Sequence, residues 1–347
     1  MVSDGDLQDF RGTLDMGIKS LGNSGIKYKA VWDKTGYGAA LQWEAPGWYG
    51  ERACFGGGYN GSSDLNEIDY VAIMTIGNAS DFGNLTNTRQ YIAGTSNGTR
   101  GMFMGGGNAS GTPYAITDYI TVATTGNATD FGDPTTNRTG AGGVSDGTYA
   151  IMGGGYAASP SWPNNGTDII DYYTIDTTGN ATDFGDLVTV VQTLGGVNDA
   201  TRGVFLGGNA NGDSRINNID YITMATPGNA TDFGDLTNPT AYAAGGVDNN
   251  SRGIMSGGTE DGTGVTNKME YITIATTGNA TDFGDNTQAR FGFGGCNNQT
   301  RGIWGGGKRS SGATDRMDYA TIATVGNATD FADLTQVKQG TSACAGA

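Results

Sequence analysis

The chain has 347 residues, and 62 of them, about 18%, are glycine, against roughly 7% in average proteins. Only 16% are charged, 19 basic against 35 acidic, and the net charge of −16 disfavours nucleic acid and anionic membrane as partners. Histidine is absent and the cysteines number three (Cys54, Cys296, Cys344), which removes imidazole catalysis and leaves too few ligands for a zinc site or a disulfide framework.

At the amino terminus, MVSDGDLQDFRG has neither the basic region nor the apolar core of a secretory signal peptide. Leu7, Phe10, Leu14, Ile18 and Leu21 are spaced roughly as one helix face, weakened by Gly12 and Gly17. Residues 31–43 read as a hairpin across Thr35-Gly36. Trp32, Trp43 and Trp48 are three of the five tryptophans, so residues 1–49 carry aromatic surface that wants a docking partner. That partner is the chain's own repeat body, a second copy in a homo-oligomer, or a larger assembly. No window along the chain approaches the roughly 18 apolar residues of a membrane span.

From Gly50 onward the sequence repeats. The string Gly-Asn-Ala-(Ser/Thr)-Asp-Phe starts at Gly77, Gly126, Gly179, Gly228, Gly278 and Gly326, at spacings of 49, 53, 49, 50 and 48. A glycine pair (first at Gly57-Gly58) and an acid followed by tyrosine (first at Asp69-Tyr70) recur six times in the same order. Six copies of about 50 residues make a repeat array.

Each unit reads as four short strands. In the second unit these fall around 90–95, 100–104, 116–123 and 129–131, with the hairpin signal Asn97-Gly98 between the first two. That is the size of one propeller blade. First strands carry Gly or Ala at 93–94, 142–143, 195–196, 245–246 and 294–295, as expected where innermost strands crowd one axis. The tail 338–347 matches a first strand, while the first unit begins with a second strand at Arg52 and lacks its own first strand. The tail can therefore complete the first blade and remove the exposed sheet edges. Cys344 and Cys54 then fall in neighbouring strands, two residues out of register on this alignment, so no disulfide is expected.

Arg89, Arg138 and Arg290 opening the first strand, the glycine pair closing the second, Tyr in the third and an aromatic in the fourth resemble the kelch repeat over residues 50–347. The chain departs from it by using Phe82, Phe131, Phe184, Phe233, Phe283 and Phe331 where kelch has Trp, and by lacking the Arg at Val191 and Ala241. The near-verbatim phrase at 271–285 also resembles repeat proteins of tailed phages, marine ones in particular, where they are taken as virion components. The resemblance implies an all-β, six-bladed kelch-like β-propeller with four strands per blade, closed by the C-terminal strand, in a virion.

Loops between second and third strands vary most, and binding concentrates on loops held by a rigid scaffold. They supply the candidate contacts Tyr59, Tyr114, Tyr156, Trp162, Asn209 and Lys308. The expectation is a non-enzymatic phage tail-fibre or appendage protein. Residues 1–49 bind other virion proteins, and the loops bind a host surface glycan or a neighbouring protein. The alternative is a cellular or secreted kelch-type interaction scaffold. A carbohydrate-active enzyme would need paired loop acids, and Asp168, Asp213, Glu260 and Asp261 are the ones to test. No cofactor is expected; structural Ca²⁺ at the Asp130–Asp133 repeats matches no known loop spacing. The Asn-X-Ser/Thr tripeptides read as turn residues bonding nearby backbone, and Arg52, Arg100, Arg202, Arg252 and Arg301 as partners of the abundant Asp.

Overall fold

The computed structural model describes residues 27–32, 39–44, 50–157, 166–211, 213–242 and 245–346. It divides into two units, Met1–Pro46 and Gly47–Ala347. In the first, Lys27–Trp32 pairs antiparallel with Ala39–Glu44; the turn expected at Thr35-Gly36 and the helix face expected at 7–21 lie outside the described residues. The second is all-β, a series of small antiparallel sheets.

Six of these sheets carry the repeat. Sheet two is representative, with strands in the order Ala93–Ser96, Arg100–Met104, Thr117–Thr121 and Thr129–Gly132. Sheet one takes its first strand from the other end of the chain: Ser342–Gly346 pairs with Arg52–Tyr59, which continues to Asp64–Ala72 and Ser80–Asn84. In sheet three the last strand, Thr182–Gln192, runs on to pair with Asn209–Ala210 of the following unit.

The second strands are buried on both faces, so they read as continuous apolar runs rather than alternating ones. Met102 and Met104 pack toward sheet three, while Phe103 between them packs toward sheet one. Six separate cores result, one between each consecutive pair of sheets and one between sheet six and sheet one.

Glycine on the first strands has a steric cause. A Cβ on Gly143 would stand 2.7 Å from the Gly94 carbonyl, and one on Gly196 would stand 2.5 Å from that of Gly143. Gly94 meets Ala343 of the C-terminal strand in the same way, at 2.3 Å. Backbone lies against backbone, and no side chain fits.

Several expectations change. Cys54 and Cys344 are directly opposite in the ladder, not two residues apart; all three cysteines are buried free thiols. Among the described residues, the arginines opening the second strands form no ion pair with Asp. Arg52, Arg100, Arg202, Arg252 and Arg301 each lie over the tyrosine of their own third strand, at 4.2–4.8 Å. Each also donates to a backbone carbonyl of the next sheet, as Arg301 does to Ile73 (2.9 Å). A charge stacked on an aromatic ring and hydrogen-bonded at its edge needs no carboxylate.

The turn asparagines also reach further than expected. Asn127 Oδ1 accepts from Asn84 N–H of the preceding sheet at 3.0 Å, and Asn78 links sheet one to Asp333 at 3.3 Å. The position lacking Arg in unit five is Thr240 rather than Ala241, since Thr240 and Ala241 pair with Glu260 and Thr259 as Arg138 and Thr139 precede and meet Tyr156 in unit three.

Candidate functional site

One end of the six-sheet body is organised by a backbone circuit. Tyr91 N–H donates to Gly340 (2.7 Å), Gly340 to Gly292 (2.5 Å), Gly292 to Tyr242 (3.0 Å), Tyr242 to Thr193 (3.0 Å), Thr193 to Gly140 (2.6 Å) and Gly140 back to Tyr91 (2.8 Å). Every one of the six sits in the left-handed region, with φ from 53° to 68°. This conformation aims each N–H at its neighbour's carbonyl, and glycine adopts it without strain. Three units comply with Gly140, Gly292 and Gly340. Tyr91, Thr193 and Tyr242 do not, although a bulky or β-branched residue there costs about 1 kcal/mol or more.

Two of the side chains gained for that strain meet each other. The rings of Tyr91 and Tyr242, from sheets two and five, are 6.1 Å apart, and Phe291 packs on Tyr242 at 5.8 Å. Space for Tyr91 comes from Gly292, where a Cβ would lie 3.3 Å from the ring. A cavity of about 90 Å³ is lined by these two tyrosines, Thr193 and the first-strand glycines. Burial raises both phenol pKa values, with the neighbouring phenol adding to it for Tyr91 and Asp213 for Tyr242. Both stay protonated hydroxyl donors at neutral pH.

Beside this circuit lies a set of six equivalent pairings. The residue after each glycine pair hydrogen-bonds or pairs with the residue preceding the circuit: Tyr59 with Gln339, Gly107 with Gln90, Tyr156 with Thr139, Asn209 with Gln192, Thr259 with Ala241 and Lys308 with Phe291. Four candidate contacts chosen from the sequence, Tyr59, Tyr156, Asn209 and Lys308, therefore occupy one equivalent place. Tyr59, Tyr156 and Lys308 are half-buried, and Lys308 Nζ lies 5.9 Å over the Phe291 ring. Asn209 is fully buried; its amide donates to Asp213 at 3.1 Å and contacts the Tyr242 hydroxyl. Tyr114 stands apart from that set, its N–H bonded to Gly106 at 2.8 Å. Trp162 lies outside the described residues.

The variable segments are themselves structured, as short hairpins at Asn209–Ala210/Ser214–Arg215, Thr259–Glu260/Gly264–Val265 and Lys308–Arg309/Gly312–Ala313. Their acids are engaged singly: Asp261 pairs with Arg215 at 2.6 Å and Glu260 with Lys268 at 3.3 Å. Among the described residues no three acidic or thiol side chains converge as a metal site.

Tyr91, Tyr242 and Phe291 escape a reading that looks only at the second-to-third loops, because they lie between units. A signal was present: at one repeated position three units have glycine and three do not. No family model matches the sequence, and no curated protein matches it.

Proposed function

We propose that the chain is a non-enzymatic recognition protein, built as a six-bladed kelch-like β-propeller with its first blade completed by the C-terminal strand, and carried on a phage particle as a tail fibre or appendage. Residues 1–49 attach it to other virion proteins. The end bearing Tyr91 and Tyr242 contacts a host surface glycan or a neighbouring protein. The unbroken circuit of six hydrogen bonds supports the ring architecture, as do the six intersheet cores. The phage placement is supported by the repeat phrase alone.

The observation that carries recognition is the pair of tyrosines held in a glycine conformation at the centre of the varied loops. Strain retained at three of six equivalent positions, two of them tyrosine, and avoided by glycine at the rest points to a use for those side chains. Tyr91→Gly and Tyr242→Gly install the residue that three other units already have there. We expect both variants to melt within a few degrees of the wild type, because relief of backbone strain of about 1 kcal/mol offsets the lost ring contacts. Attachment to host cells should fall sharply. Unchanged attachment would remove the site from the reading, and absence of the chain from purified particles by mass spectrometry would remove the virion placement.

A further inference from the structure

We infer that the mouth formed by Tyr91, Tyr242 and Phe291 is a subsite for one uncharged pyranose residue of a glycan, an assignment that rests on the recognition reading above. Three observations carry it.

The first is the aromatic cluster itself. Three half-buried rings form a row, Tyr242 lying 6.1 Å from Tyr91 and 5.8 Å from Phe291, and a pyranose presents C–H faces of matching width to such rings.

The second is a set of orphaned amides around it. Gln192 and Asn209 are paired residues on adjacent strands, 2% and 0% exposed. Gln192 Nε2, a donor, and Asn209 Oδ1, an acceptor, both lack a hydrogen-bond partner, as does Gln90 Oε1. Each unpartnered buried polar atom costs about 1–3 kcal/mol, so three at one end of a body are not neutral features. A hydroxyl donates one bond and accepts another, which is what the Gln192–Asn209 pair lacks. Asn209 already contacts the Tyr242 hydroxyl, Gln192 is its cross-strand partner, and Gln90 directly precedes Tyr91.

The third is what this end does not offer. The backbone of each residue following a glycine pair is already bonded or paired to the connection beside it, and the outer hairpin strands are only two residues long, so little strand edge is presented there to an extended peptide. Readout falls to side chains, which suits a compact polyhydroxylated ligand. The overall charge of −16 and Asp213 beside Tyr242 disfavour acidic sugars, and they outweigh Arg215, also beside Tyr242, and Lys308 over Phe291.

The test applies the full-length chain to immobilised oligosaccharides ending in galactose, glucose, mannose or N-acetylglucosamine, with matched chains ending in glucuronic or sialic acid. Variants are Tyr242→Gly, Asn209→Thr and Gln192→Thr, each placing a residue that another unit has at the same position (Gly140, Thr259, Thr139). The wild type should retain at least one neutral glycan, and each variant should weaken that binding by about tenfold or more, the loss of one good contact. Retention of acid-terminated glycans only, or variants equal to the wild type, overturns the assignment. If no neutral glycan is retained while Tyr242→Gly still abolishes cell attachment, the saccharide assignment falls and the recognition reading stands. If attachment is also unaffected, both fall.

Discussion

Six acids occupy one repeated position, and four of them face a cation that the other two lack. Asp69, Asp118, Asp171 and Asp318 each meet a fully buried cation at 2.7–2.9 Å: Lys338, Arg89, Arg138 and Arg290. The cation is anchored as well by carbonyls, as Arg290 is by Gly306 (2.8 Å) and Arg316 (2.6 Å). Units four and five have Val191 and Thr240 at the cation's place. Asp220, 5% exposed and held by the Val188 N–H, is pushed up to about 6 by burial with no cation to oppose it, and Glu270 is raised for the same first reason; burial raises Asp318 too, although Arg290 beside it works against the rise. A carboxyl raised on folding gives stability that is fully present below its unfolded value near 4 and lost as pH rises through about 6. Asp220→Asn should therefore be more stable than the wild type at pH 8, by about 1–2 kcal/mol after allowance for solvent screening, with the gap closing below about pH 4. Thermal melts across that range check it, and a pH-independent gap would defeat the explanation. The same change in unit two, Asp118→Asn, should do the opposite at pH 8 and destabilise by about 3 kcal/mol or more, because it strands the buried Arg89.

At the scale of the strand, the repeat motif encodes how sheets are joined rather than how each one folds. The Arg of the second strand, the Tyr of the third and the Phe of the fourth form a stack: in sheet six Arg301 lies 4.2 Å over Tyr319, whose ring meets Phe331 edge-on at 5.9 Å. The guanidinium then crosses to Ile73 of sheet one. In sheet three Tyr149 takes the Arg position and meets Tyr172 edge-on at 5.1 Å. Arg301→Ala removes the stack and the only donor to that carbonyl from this side chain, and should cost about 1–3 kcal/mol in chemical denaturation. A loss under about 0.5 kcal/mol would mean that the stack is surface decoration. Motif spacing revealed the strands and their order, because period and turn chemistry are local. It did not reveal the direction of the arginines or of Asn127, since both make their decisive bonds to another sheet.

For the whole molecule, the join between Ser342–Gly346 and Arg52–Tyr59 brings the two ends of the repeat body together. Without it, the Arg52–Tyr59 strand becomes an open edge and the hydrogen-bond circuit loses Gly340's neighbouring strand. Deleting residues 342–347 should give aggregated or loosened protein by size-exclusion chromatography; a monomer with an unchanged melt would show that closure contributes little. The sequence by itself determined the all-β class, the six units, the strand order and the C-terminal strand as the missing member of sheet one, since glycine pairs, Asn-Gly turns and a period of about 50 residues act over short range. Only the tertiary structure decided where Tyr91, Tyr242 and Phe291 meet, why Asn209 and Gln192 are buried side by side, and that Cys54 faces Cys344. Those pairings join residues from 17 to 290 positions apart, and their distances depend on how the sheets pack around one another, which no local pattern specifies.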